Sequence, residues 1–268
     1  MTFTMGPSLL FCPADRPDRF AKAQVRADAV IIDLEDAVAP QNRAAAREAL
    51  IANPLDPERT IVRLNPAATP DFVLDLEALE LTAYRTVMLA KAQGVRDLDD
   101  LAGLEVIALC ETAAGVLAAP ALAAAPGVVA LMWGAEDLLV SLAGSSSRRA
   151  DGGYRDVARH ARSTVLLAAA ASGVAAIDAV FLDLPNLAGL ADEARDAAES
   201  GFAATACVHP SQVAVIREAY TPGEEQLRLA RELLAAAEGE SGVFRFDGQM
   251  VDGPILGHAR RLVQRAGH

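Results

Sequence analysis

Two carboxylates that end two apolar runs are the residues best placed to do chemistry in this chain. The run Glu105–Cys110 stops at Glu111-Thr112, and the run Gly127–Met132 stops at Trp133-Gly134, just before Ala135-Glu136-Asp137. Short runs that are apolar almost throughout read as strands buried on both faces. If the two strands are neighbours, Glu111 and Asp137 converge at the same strand ends. They would then offer two hard oxygen ligands and leave positions open, which suits Mg²⁺ keeping waters and taking substrate oxygens. Both acids also precede helical segments, so a pair of helix N-caps is the alternative reading.

The elements that would position them form a regular series. Ser8–Cys12, Ala29–Leu34, Thr60–Leu64, Thr86–Leu89, Glu105–Cys110, Gly127–Met132, Ala179–Leu182 and Ala204–Val208 are strand-like. Helical stretches fall between them at Pro17–Ala27, Gln41–Ala52, Asp71–Glu80, Val95–Ala102, Thr112–Ala124, Tyr154–Ser172 and Leu187–Ser200, and Pro210–Tyr220 closes the series. Eight strand–helix units in one domain predict an α/β fold of the TIM (β/α)8 barrel type. A doubly wound open sheet is the runner-up, and no GxGxxG follows its first strand. At the C-terminal ends stand Asp33, Glu35 and Asp36, then Arg63 and Asn65, Lys91, Glu111, Glu136 and Asp137, Asp183, and His209. Barrel enzymes carry their chemistry on that face. Carboxylates outnumber cations there, and Arg63 and Lys91 stand singly among them. That mixture suits a divalent metal with an anionic ligand.

Two stretches fall outside the series. Leu139 to Gly153 is too long for an ordinary βα loop, and its serines, glycines and Arg148-Arg149 make it either a mobile basic lid or a solvated insertion. It holds no GxSxG, so no nucleophile elbow is present. Beyond Tyr220 come an amphipathic helix, Glu224–Glu238, and two short runs, Val243–Phe246 and Gln249–Val251, flanking the hairpin signal Asp247-Gly248. Asp252-Gly253-Pro254 then opens a last helix. The expected domains are a barrel over 1–220 and a helix–hairpin–helix extension over 221–268 that packs on a neighbouring subunit.

Composition bounds the function. The chain has 268 residues, 52% of them hydrophobic, and a net charge of −12, which speaks against nucleic acid. An anionic small molecule would need a local basic patch. Arg16, Arg19 and Lys22, three apart after the first strand, supply one, or else form a solvated basic face. Met1–Gly6 lacks a basic region, and no 18-residue apolar window exists, so a soluble, cytoplasmic protein with no membrane partner is expected. Cys12, Cys110 and Cys207 read as reduced, partly buried thiols. Zinc through Cys207 and His209 lacks any supporting spacing.

The motifs Ser8-Leu-Leu-Phe-Cys-Pro-Ala-Asp-Arg-Pro-Asp-Arg-Phe-Ala-Lys22, Ile32-Asp-Leu-Glu-Asp-Ala-Val38, Val62-Arg-Leu-Asn65, Met88-Leu-Ala-Lys91, Glu111-Thr112, Trp133-Gly-Ala-Glu-Asp-Leu138, Val208-His-Pro-Ser-Gln212 and Asp247-Gly-Gln-Met-Val-Asp252 occur in that order. Together they resemble the citrate lyase β-subunit-like proteins of the HpcH/HpaI aldolase superfamily, over almost the whole chain. The Ser145-Ser-Ser-Arg-Arg149 loop resembles that of the stand-alone members. The resemblance implies a barrel, usually a homotrimer, that makes or breaks a carbon–carbon bond between a keto acid and an acyl-CoA enolate. It implies Mg²⁺, with Mn²⁺ as a substitute, on Glu111 and Asp137. It implies Arg63 on the keto acid and Asp252 as an acid/base delivered from the adjacent subunit. Cys12-Pro13-Ala14 replaces the usual Val-Pro-Gly, a Gly-Lys pair before the His-Pro motif is absent, and the C-terminus is shorter than in many members. These departures bear on substrate identity more than on reaction type.

The residues would divide the work as follows. Arg63, Asp252, Glu35 and Asp36 are the catalytic candidates. Arg63, Gly134, Ala135, Glu136 and Lys91 would bind substrate, and Arg16, Arg19 and Lys22 would hold coenzyme A. The expected partners are a CoA thioester and a small keto acid of the pyruvate, oxaloacetate, glyoxylate or acetoacetate class. The expected reaction is cleavage or formation of citramalyl-CoA, malyl-CoA or hydroxymethylglutaryl-CoA. The alternatives are malate-synthase-like condensation with thioester hydrolysis, and a citrate lyase β subunit working only within a multi-subunit complex. An Asp before Gly-Pro is also an ordinary helix N-cap, so Asp252 has a structural reading too.

Overall fold

The computed structural model describes residues 3–240 and 242–266. The outermost residues of the two expected domains, and Met1 and Thr2 of the stretch Met1–Gly6, lie outside that range. Eight parallel strands close a barrel in sequence order: β1 (Ser8–Pro13), β2 (Ala29–Asp33), β3 (Thr60–Leu64), β4 (Thr86–Leu89), β5 (Glu105–Cys110), β6 (Val128–Trp133), β7 (Ala175–Asp178) and β8 (Ala204–Cys207). β8 pairs back onto β1, so the sheet is closed and the open-sheet alternative falls. α1 (Phe20–Arg26), α2 (Arg43–Ala52), α3 (Pro70–Glu80), α4 (Ala113–Ala123), α5 (Ala135–Ser141), α6 (Asp156–Ser172), α7 (Leu187–Ser200) and α8 (Pro210–Tyr220) supply the connections, with a 3-10 helix, Val95–Leu101, after β4.

Strand alternation builds the interior and then the mouth. Ile31, Ile61, Leu109 and Met132 belong to the apolar cluster that fills the barrel. Because side chains repeat every two residues along a strand, the next residues on the same face are Asp33, Arg63, Glu111 and Gly134. On β2, β3 and β5 the inward face therefore turns from apolar to polar in one step at the C-terminal mouth, while Gly134 leaves it open after β6.

Two sequence expectations are corrected. The seventh strand is Ala175–Asp178, not Ala179–Leu182. α6 ends at Gly173 in the left-handed region, φ +71°, so the chain is free to extend at once. Asp178, the last residue of that strand, is buried, and Trp133 Nε1 (2.5 Å) and Arg162 NH2 (2.9 Å) donate to it. An apolar stretch tolerates that carboxylate because tertiary partners satisfy it. The second correction concerns the long βα connection, whose first residues, Leu139–Ser141, belong to α5. The rest is fastened to the barrel. Ser147 Oγ donates to Glu136 Oε1 (2.6 Å), Arg148 pairs with Glu193, and the Arg148 guanidinium lies over Tyr154 (3.9 Å) and Phe181 (5.0 Å). These contacts pin the connection at Ser147 and Arg148, while the residues on either side, 140–146 and 149–153, are exposed to solvent.

Backbone contacts divide the chain into two compact units, Met1–Ile216 and Arg217–His268. In the second, α9 (Glu224–Ala237) packs on α10 (Gly253–Arg265). Between them β9 (Phe244–Phe246) and β10 (Gln249–Val251) form an antiparallel pair. Asp247 (φ +44°) and Gly248 (φ +78°) both turn left-handed, as a two-residue hairpin requires. The three cysteines are buried, and burial pushes the Cys12 thiol up to about 11 and the Cys110 thiol up to about 12. Among the described residues no helix is long and apolar enough to cross a membrane.

A buried network ties α2 and α3 to the ends of β2 and β3. Arg47 Nε donates to Asp75 Oδ1 (2.7 Å), and Asp75 Oδ2 accepts from Asn65 N (2.9 Å) and Nδ2 (2.8 Å). Asn65 Nδ2 also donates to Leu34 O (3.0 Å). Removing the cation strands a fully buried carboxylate, so Arg47→Met is expected to cost about 3–5 kcal/mol in urea unfolding. Arg47→Met/Asp75→Asn should recover much of that loss. A single variant as stable as wild type would show that the network carries no load.

Candidate active site

The barrel mouth opens into a cavity of about 840 Å³ whose wall includes Asp36, Arg63, Glu111, Gly134, Glu136 and Asp137. It is assembled around Asp33. This carboxylate ends β2, and the parallel register sets it beside Arg63 on β3. Its Oδ1 accepts from Arg63 Nε (2.7 Å) and Glu35 N (2.9 Å), and its Oδ2 from Arg63 NH2 (2.6 Å) and Ala37 N (3.0 Å). One buried acid thus orients the guanidinium and the turn that follows its own strand. Arg63 NH1 lies 3.1 Å from Glu35 Oε2, and the guanidinium stands 4.9 Å over the Phe11 ring. Burial alone would lower the Arg63 pKa, but Asp33 and Glu35 raise it further, so the side chain stays charged.

A second cation gathers the remaining acids. Lys91 Nζ bonds Glu35 and lies 3.1 Å from Asp36 Oδ2, 3.4 Å from Asp137 Oδ1 and 4.0 Å from Glu111 Oε1. Lys91 occupies the left-handed region, φ +51°, and its backbone N–H donates to Glu111 Oε1 (3.1 Å). A non-glycine residue in that region stores strain, of a kind that clusters at functional sites.

Glu111 and Asp137 are not helix caps. The N-cap of α4 is Thr112, whose side chain accepts from Gly115 N, and the N-cap of α5 is Gly134. Freed from capping, Glu111 is buried beside Asp137, and burial together with that neighbouring acid pushes its carboxyl up to about 8. A Cβ on Gly134 would come within 2.9 Å of Glu111 Oε2, so glycine there leaves space for the carboxylate. Two close acids, one buried and one half-exposed to the cavity, are the donor set of a hard divalent cation. Among the described residues no group of three His, Cys, Asp or Glu side chains gathers for a metal, so a cation here would take further ligands from water or substrate.

The other expected residues divide. Gly134, Ala135, Glu136, Arg16, Arg19 and Lys22 all line the cavity. Arg26, four residues or about one helical turn after Lys22, lines it too, and that i,i+4 step was the signal for it. Residues 17–19 form a 3-10 turn and α1 starts at Phe20, so the basic residues span two short helices rather than one. Glu35 is buried behind Arg63 and Lys91, and it and Lys91 do not line the cavity wall. Asp252 lies in the second unit, where its carboxylate caps α10 by accepting from Ile255 N (3.3 Å). Asp33 is the residue that sequence reasoning placed at a strand end without giving it a role. Its signal was the parity Ile31-Asp33 opposite Ile61-Arg63.

The chain as a whole is similar to known proteins. The family model for HpcH/HpaI aldolase/citrate lyase covers residues 7–210. A citrate lyase subunit beta-like protein of Mycobacterium tuberculosis (strain H37Rv) is 59% identical over 98% of this chain and 96% of its own. The mitochondrial citramalyl-CoA lyase of Rattus norvegicus is 30% identical over 97% of this chain and 85% of its own. The crystal structure of protein CitE from M. tuberculosis in complex with magnesium, acetoacetate and coenzyme A superposes with a TM-score of 0.95, at 58% identity, covering 98% of each chain.

The raised Glu111 pKa has a stability consequence. The folded protein holds the Glu111 proton more tightly than the unfolded chain does, so folding weakens as pH rises from the ordinary glutamate value to about 8. In chelator-treated protein, Glu111→Gln is expected to melt higher than wild type at pH 9, with the gap shrinking at pH 5. A gap independent of pH would mean that Glu111 ionises normally.

Proposed function

The chain belongs to the HpcH/HpaI aldolase/citrate lyase family, and on that footing we propose that it is a magnesium-dependent carbon–carbon lyase acting on β-hydroxyacyl-CoA esters. The substrates proposed are of the citramalyl-CoA, malyl-CoA or hydroxymethylglutaryl-CoA kind, cleaved to, or built from, a keto acid and an acyl-CoA. The observation that carries this reading is one cavity that combines the Glu111–Asp137 pair, the Arg63 guanidinium and the basic residues Arg16, Arg19, Lys22 and Arg26. Magnesium held by Glu111 and Asp137 would supply Lewis acidity toward a hydroxyl and the carboxylate beside it.

The chain's own residues do the rest. Asp33 takes two of the five N–H donors of Arg63 and fixes the plane of the fork. The donors of NH1 are left to Glu35 and to the keto acid carboxylate, which a planar guanidinium grips with defined geometry. Lys91 neutralises Glu35 and Asp36, so the acids around Arg63 do not repel an anionic substrate. The cations after β1 meet the phosphates of coenzyme A. As the hydroxyl gives its proton to solvent and becomes the keto oxygen, the carbon–carbon bond breaks and its electron pair passes to the acyl-CoA as an enolate, whose carbon needs a proton. Asp252 of a neighbouring subunit would deliver it, or remove it in the condensing direction. In this reading residues 221–268 are the arm that reaches the neighbour, and the assembly is a homotrimer.

Activity is expected to disappear in excess EDTA and to return with Mg²⁺ or Mn²⁺, and Asp137→Ala should lose metal affinity. Full turnover in the chelator would sink the metal assignment.

Asp252→Asn still caps α10, so its melting temperature should stay close to wild type while turnover falls about 10²–10⁴-fold. Mixed oligomers of Asp252→Asn and Asp137→Ala subunits should regain activity that neither has alone. Verified subunit exchange without regained activity would confine Asp252 to its own chain or to capping.

A further inference from the structure

His209 stands at the C-terminal end of β8, exposed on the wall of the same cavity. β8 pairs with β1, so the imidazole shares that cavity with the cations of the segment after β1. The backbone there is held rigidly. Gln212, fully buried, accepts from Val208 N (3.0 Å) and His209 N (3.2 Å), and donates through Nε2 to Phe181 O (2.7 Å). This amide clamps the end of β8 to the segment that follows β7.

The ring itself is fixed in one tautomer. Ser211 N lies 3.2 Å and Ser211 Oγ 2.8 Å from His209 Nδ1. A backbone N–H can only donate, so Nδ1 must be an acceptor, and in the neutral ring the proton resides on Nε2. Among the described residues Nε2 has no partner. On a residue of the cavity wall, Nε2 therefore keeps an N–H donor that has no partner among the described residues.

We propose that His209 is a binding residue for the acyl-CoA ester, its Nε2–H donating to an amide carbonyl of the arm that joins the thioester to the nucleotide. This rests on the acyl-CoA reading above. A neutral donor matches a neutral carbonyl, and the phosphates have Arg16, Arg19, Lys22 and Arg26 for partners. The competing explanation is that His209 only caps α8 through Nδ1.

His209→Ser separates the two, because serine caps a helix well but has no donor where Nε2 stands. The magnesium-loaded protein would be titrated calorimetrically with coenzyme A and with 3′-phospho-ADP, its nucleotide half without the arm. The proposal expects an unchanged melting temperature, coenzyme A binding weakened about threefold to tenfold, and 3′-phospho-ADP binding unchanged. Equal weakening of both ligands would make His209 a phosphate ligand and overturn the proposal. Unchanged binding of both would leave it a helix cap and overturn it as well. If His209→Ser melts lower than wild type, His209→Asn, an equally good cap, carries the same comparison. Failure of the wild-type protein to bind coenzyme A at all would instead strike the acyl-CoA reading, which keeps the two failures apart.

Discussion

The ion pair between Asp33 and Arg63 is the constraint on which the site depends. Both side chains point into a closed barrel at the layer where its apolar filling ends, and both are almost completely removed from water. Charges in such a place persist only when each is matched and their remaining hydrogen-bonding capacity is used. The matching extends as a chain. Asp33 fixes Arg63 and the backbone of Glu35; Glu35 faces Arg63 and bonds Lys91; Lys91 reaches toward Glu111 and Asp137. Each acid is neutralised by a cation that also touches the next acid. Losing one member leaves its neighbours exposed to mutual repulsion in a medium that screens poorly.

Behind this layer a second set of buried polar groups ties the loops to the barrel. Arg47, Asp75 and Asn65 hold the carbonyl of Leu34, just ahead of the acidic turn. Beyond β1, Gln212 joins the end of β8 to Phe181. The connection after α5 is fastened through Ser147, Arg148 and Tyr154. Short elements around the mouth are thus positioned by side chains that bond backbone atoms of other loops. Such support keeps catalytic groups in place without requiring the loops themselves to be regular.

Much of this was legible in the residues. Continuous apolar runs separated by Ala-rich helical stretches announced buried parallel strands, because a strand covered on both faces has no polar side to show. Eight of them implied closure, and the acids stood out because Glu111 follows such a run directly and Asp137 lies within five residues of the end of the next one. Strand seven was misplaced for the same physical reason. Ala175 to Leu182 is apolar on both sides of Asp178, and nothing local says that Trp133 and Arg162 will satisfy that carboxylate.

By itself, then, the sequence determined the alternation of elements, the barrel they close and the chemical types gathered at one end, since periodicity and residue type are local properties. Tertiary structure alone decided which charges meet. Asp33 opposes Arg63 because the β2–β3 register sets them side by side. Lys91 is drawn among four carboxylates rather than toward the cavity, because its backbone turns left-handed at the end of β4. The raised pKa of Glu111 arises from burial and from Asp137, twenty-six positions along the chain but adjacent at the barrel mouth. Electrostatic partners are set by distance in space, and only closure of the barrel fixes that distance.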